Sequence, residues 1–166
     1  LAASRTLAIA LSSAVLSDCG LYRYCLIRQW ADGPTCGFIM LNPSTADATL
    51  DDPTIRRCIG FAKREGCGGL IVANLFAFRA TKPLEMADAD DPVGPLADEH
   101  LRRIADAVDG PLVAAWGAHR MAGERAEQVK STFGNRLMCL GVTKDGHPRH
   151  PLYVKADAPL YHKVAG

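Results

Sequence analysis

A chain of 166 residues buries about two-thirds of the surface that its unfolded form exposes, enough for one core without disulfide or metal staples. Its hydrophobic content of 48% marks a globular chain, and no run approaches the roughly 20 apolar residues of a membrane-spanning helix. The formal charge of +1 hides an uneven distribution: residues 1–83 carry nine basic against six acidic side chains, residues 84–118 two against eight, and residues 119–166 eight against four, so the neutral total does not exclude a polyanionic partner.

The stretch Leu7–Leu11 invites comparison with a signal peptide, but its apolar core is short and Ser12-Ser13 breaks it, so a cytoplasmic protein is expected. Cys19, Cys25, Cys36, Cys58, Cys67 and Cys139 form no C-x-x-C pair and no regular framework, which points to reduced thiols. Neither they nor the histidines show close metal-ligand spacing, and no metal or cofactor is expected.

Arg23–Trp30 alternates, Ala31-Asp32-Gly33-Pro34 reads as a turn, and Thr35–Leu41 is a second strand, together predicting a hairpin. Phe38-Ile39-Met40-Leu41 is apolar throughout, as in a strand covered on both faces, and Pro43 lacks the N–H that a ladder needs. The strand therefore ends where Asn42 emerges, followed by Ser44, Thr45 and Asp47, and ligand sites in α/β sheets form at such ends. Asp52-Pro53 caps a helix whose buried stripe is Ile55, Cys58, Ile59 and Ala62, and Gly66–Gly69 ends it.

Leu70–Leu75 is a second apolar strand ending on Asn74, and a loop with Arg79, Thr81 and Pro83 leads through the acidic segment to a helix over residues 96–108. Leu112–Trp116 is a third buried strand, broken at Gly117 before a helix from Ala118 to about Lys130. Arg136–Gly141 predicts a fourth core strand, and the tail carries His147-Pro148-Arg149-His150-Pro151-Leu152. Strands alternating with helices predict a single-domain, three-layer α/β/α sandwich whose sheet is mostly parallel after the opening hairpin.

Met40-Leu41-Asn42-Pro43-Ser44 resembles the first motif of the uracil-DNA glycosylase superfamily, in particular the Asn-Pro-Gly strand end of its mismatch-specific branch. Val72–Thr81 resembles the second strand with its N/D-L-x-x-R-x-T continuation, Trp116-Gly117-Ala118-His119 the glycine-containing turn, and His150-Pro151-Leu152 the late His-Pro-Ser type motif. The pattern of Arg-Tyr-x-Leu, Asn-Pro-Ser-Thr-Ala-Asp and a terminal His-Pro-Leu-Tyr more directly resembles the domain of unknown function 1643 family of small bacterial and phage proteins, which assigns no chemistry.

The glycosylase resemblance implies hydrolysis of the N-glycosidic bond of a base flipped out of DNA, leaving an abasic site. It implies that Asn42 positions the water, that His150 faces the base oxygen or the sugar, and that Asn74 reads the base edge. An amide is a weak base, so a carboxylate is expected to assist; Asp51 is favoured over Asp47 and over Asp52, which has a capping duty. His147 is the alternative to His150. Ser44, Thr45, Asp47, Trp116 and Gly117 would line the substrate, and Arg79 would hold phosphate, with the N–H groups of Gly117 and Ala118 at a helix N-terminus.

Uracil-specific members place a bulky tyrosine where this chain has Ser44. The missing wall implies a 5-substituted pyrimidine, such as a modified cytosine in phage DNA, and hence a role in antiphage defence. DNA is the expected partner and a monomer the expected state. The rivals are a hydrolase or transferase for free nucleosides or nucleotides, and a nucleic-acid-binding module without catalysis.

Overall fold

The computed structural model describes residues 11–162, so most of the Leu7–Leu11 stretch lies outside the described residues. Six strands, β1 (Leu11–Leu16), β2 (Arg23–Gln29), β3 (Thr35–Met40), β4 (Gly69–Asn74), β5 (Leu112–Ala114) and β6 (Leu137–Met138), form one sheet in the order β1-β2-β4-β3-β5-β6. The helices are α1 (Pro53–Arg64), α2 (Ala97–Ala107) and α3 (Gly123–Phe133).

The sheet is mixed rather than mostly parallel. β1 with β2 and β2 with β4 run antiparallel, while β4 with β3, β3 with β5 and β5 with β6 run parallel. β1 was not expected from the sequence. It is a largely exposed edge strand, without the apolar alternation that announces a half-buried one.

The expected hairpin does not form, because β4 lies between β2 and β3. The turn at residues 31–34 wraps the start of β4 instead: the N–H groups of Trp30 and Ala31 donate to Gly68 O, and Gly68 N donates to Pro34 O. A Cβ on Gly68 would stand 2.4 Å from Ala31 O and 2.5 Å from Asp32 O, so only glycine fits. Alternation identifies a strand, but the strand that pairs with it comes from forty residues downstream.

Strand alternation divides most of the core into two clusters, with a small third one around Tyr24, Ala77 and Ala97. Phe38, Met40, Leu70, Val72 and Val113 pack with Ile55, Cys58, Phe61 and Ala62 of α1. Ile39, Ala73, Leu112 and Ala114 pack with Leu101, Ile104 and Ala105 of α2 and Ala126 and Val129 of α3. Asp98, Glu99 and Asp106 of the acidic block therefore ride on a helix that packs with the second of these clusters.

α1 starts where expected: Asp52 accepts from Ile55 N at 2.8 Å, and Pro53 occupies the first turn. α3 begins only at Gly123, five residues later than expected, so Gly117 and Ala118 are not at its N-terminus. The fourth core strand contracts to the two residues of β6, after which Cys139 bridges to Tyr161. Cys25, Cys36, Cys58, Cys67 and Cys139 are buried free thiols, and Cys19 is exposed. Among the described residues no helix is long and apolar enough to cross a membrane.

Candidate functional site

Register brings three side chains to one level. Met40 pairs with Asn74 across β3 and β4, and Ile39 with Ala114 across β3 and β5. The ladder runs slightly further, with Leu75 N donating to Met40 O and Ala115 N to Ile39 O. Asn42, Asn74 and Trp116 thus emerge together at the carboxyl ends of the parallel strands, where they line a cavity of about 390 Å³. That volume falls within the roughly 300–1,000 Å³ of small-molecule sites.

The first turn of α1 supplies Asp52, Thr54 and Ile55 to one wall, and the tail supplies His150, Leu152 and Tyr153 to another. The tail is held to α1 by arginine: Arg57 donates from Nε to Pro151 O at 3.2 Å and from Nη2 to Val154 O. Arg64 reaches Ala156 O. On the other side Gly117 N donates to Pro148 O at 2.9 Å. Gly117 has φ +76°, the left-handed region that disfavours other residues, so it turns the chain while its N–H is committed to Pro148 O.

Asn42 donates both amide hydrogens, to Pro43 O and Ala80 O, each at 2.9 Å. The group left to offer a ligand is its acceptor, Oδ1. His150 Nδ1 accepts from Leu152 N, which leaves Nε2–H as the donor of the neutral ring. Burial pushes the His150 pKa down, against the pull of Asp52, so the ring is neutral at neutral pH. One oxygen of Asp52 caps α1, yet its carboxylate still lines the cavity.

Several buried polar atoms here make no hydrogen bond within the protein. They are Nδ2 and Oδ1 of Asn74, Nε1 of Trp116 and Nε of Arg23, on residues only 4%, 2% and 4% exposed. Buried polar groups without partners cost free energy. All four belong to residues that line the cavity.

Of the residues singled out from the sequence, the cavity unites Asn42, Ser44, Asn74, Trp116, Gly117 and His150. Five others lie elsewhere. Asp51 is committed to Arg28 Nε at 2.8 Å, and Asp47 accepts from the N–H groups of Thr49 and Leu50 in a local turn. Thr45 is exposed outside the cavity. Arg79 is exposed and lines a shallower groove of about 310 Å³ that shares Ser44 and Thr81 with the cavity, so the two are contiguous. His147 is exposed and does not line the cavity.

The lining carboxylate is thus Asp52, not the favoured Asp51. A capping role uses one oxygen and leaves the other free. Sequence reasoning also missed Arg23, Thr54, His119 and Tyr153; Arg23 stands in an alternating strand where nothing in the spacing sets it apart from Arg28. Among the described residues no group of three or more His, Cys, Asp or Glu could hold a metal ion.

A family model described as Protein of unknown function (DUF1643) matches residues 23–152. That span runs from Arg23 through Leu152 and includes Asn42, Asn74 and His150. No curated protein and no solved structure matches the chain.

Proposed function

The chain belongs to the DUF1643 family, and from the chemistry of its cavity we propose that it is a DNA glycosylase that hydrolyses the N-glycosidic bond of a flipped base. The observation that carries this reading is the buried amide of Asn74, with donor and acceptor both lacking protein partners. A base edge presents a donor beside an acceptor, and a single side-chain amide complements both.

The rest of the cavity supports the same chemistry. Breaking the bond leaves positive charge on the sugar and negative charge on the base, so donors must face the base while an acceptor holds the attacking water. Asn42 Oδ1 is that acceptor, and the free oxygen of Asp52 assists it as base and stabilises the sugar. Neutral His150 donates from Nε2 without bringing a full charge to be desolvated.

The groove with Arg79 continues from the cavity mouth, suited to the phosphates on either side of an extruded nucleotide. Ser44 sits where cavity and groove meet and is small, which leaves room for a substituent at C5 of a pyrimidine. The helices associated with two separate core clusters are consistent with the layered glycosylase-like arrangement that the motifs imply.

Incubation with genomic DNAs carrying different base modifications, followed by mass spectrometry of released bases, tests the reading without a prior choice of substrate. Release of one modified pyrimidine, with binding that weakens steeply as salt rises, is the expected result. Release from free nucleosides alone, indifferent to salt, overturns the DNA reading.

A further inference from the structure

Three arginines are buried among the described residues, and they are not held alike. Arg28 pairs with Asp51 at 2.8 Å and Arg125 with Asp98 at 2.7 Å. Arg23 has no carboxylate partner: its Nη1 donates to Ala46 O at 2.5 Å, and its Nε makes no bond at all. An ion taken out of water costs several kcal/mol unless it is paired. Arg28 and Arg125 pair within the protein, whereas Arg23 lines the cavity.

Burial lowers the Arg23 pKa to about 10; Asp52 acts in the opposite direction, and Arg79 and Arg28 add to the lowering. Arg23 therefore stays charged at neutral pH. Asp52 is the one carboxylate among the lining residues, and it does not close on Arg23 as an ion pair. One cavity thus holds a separated cation and anion beside the neutral His150. Such an arrangement leaves a neutral ligand undisturbed and gains strength as that ligand splits into opposite charges.

Resting on the base-excision reading, we propose that Arg23 is a catalytic residue that contacts the base and stabilises the negative charge it acquires as the glycosidic bond breaks. The C1′–N bond breaks with both electrons leaving on the base nitrogen. The oxygen of water bonds to C1′, and the proton it gives up returns to the base, so water is divided between sugar and base. Trp116, whose Nε1–H has no partner within the protein, lines the same cavity. Asp52 serves the opposite, cationic side.

The test uses free 5-fluorouracil, whose ring N–H ionises within an accessible pH range and whose anion has its own ultraviolet spectrum. Bound to the parent protein, the base should ionise about 1–3 pH units lower than free, the effect of one nearby opposite charge. Arg23→Gln should abolish the shift, and Arg23→Lys, which keeps the charge, should retain part of it. Thermal melts check that both variants fold.

A bound base that ionises as it does when free, or a shift that survives Arg23→Gln, overturns the inference. Duplex oligonucleotides carrying uracil, 5-fluorouracil and 5-hydroxymethyluracil, assayed for base release, separate the two readings. Without Arg23 the rates should depend more steeply on leaving-base acidity; a uniform loss across the series would mean a merely structural residue. Release without any Arg23-dependent trend sinks the role of Arg23 and keeps excision, whereas an Arg23-dependent ionisation shift without release sinks excision and keeps the anion contact. Neither binding nor release sinks both.

Discussion

Replacing Asn74 by leucine should stabilise the protein while removing its capacity to bind a base. Asn74 buries two polar atoms that have no partner within the protein, and each such group costs about 1–3 kcal/mol. Leucine removes both penalties with the same branching and number of heavy atoms, at an overpacking cost of about 1–3 kcal/mol for its bulkier methyl groups. The net gain should be about 1–3 kcal/mol. For a chain of this size, that raises Tm by about 2–12 °C. Urea and thermal melts of parent and variant measure it, and melts repeated with added 5-fluorouracil should rise for the parent alone. A leucine variant less stable than the parent by 1 kcal/mol or more would refute the reasoning, because the amide would then be supporting the fold and not waiting for a ligand.

Asn42→Ala should abolish base release while costing only the two bonds to Pro43 and Ala80, about 1–3 kcal/mol in a melt; an unchanged single-turnover rate would contradict its place in the mechanism. His150→Ala should slow release about 100-fold or more, whereas His147→Ala should leave it unchanged; the reverse order in the same assay would reassign the role. Because burial holds His150 below the ordinary histidine value, its neutral donor form persists through neutral pH and is lost only as pH falls below that range. The unfolded histidine takes up its proton first, so this group's contribution to stability also declines on the acid side, and a pH–rate profile that begins to fall above pH 7 would be inconsistent with it. Asp52→Asn should lower the rate more than the melting temperature, while Asp51→Asn should do the opposite by leaving the buried Arg28 unpaired, at about 1–3 kcal/mol after allowing for the partial exposure of Asp51. Ser44→Tyr should exclude a 5-substituted pyrimidine by direct overlap and spare an unsubstituted one; equal rates on matched oligonucleotides would show that Ser44 does not bound the base.

The parts of the fold legible in the sequence were those fixed by local chemistry. The cap and buried stripe of α1, the strand ending at Asn42 and the strand ending at Asn74 follow from spacing and from what proline and aspartate do to a backbone. Pairing was not legible, since β4 enters between two strands that are neighbours in sequence, and what admits it is the absence of a side chain at Gly68. The delayed start of α3 has a similar cause. Residues 118–122 are compatible with helix, but Gly117 turns the chain in the left-handed region and binds the tail through Pro148.

The site shows the same division, and β2 shows it most clearly. Arg23 and Arg28 lie on one strand, both buried, and both reach the loop after Asn42: Arg28 to the carbonyls of Asp47 and Ala48, Arg23 to that of Ala46. In the sequence they are equivalent basic residues of an alternating strand. What separates them is one carboxylate, for Arg28 takes Asp51 and becomes part of the frame, and Arg23 takes none. The same contact that makes Arg28 structural holds Asp51 away from the cavity, which Asp52 lines. Which of two adjacent aspartates is tied into the frame and which lines the cavity is therefore decided 23 residues upstream, on a strand that spacing around Asn42 does not reveal.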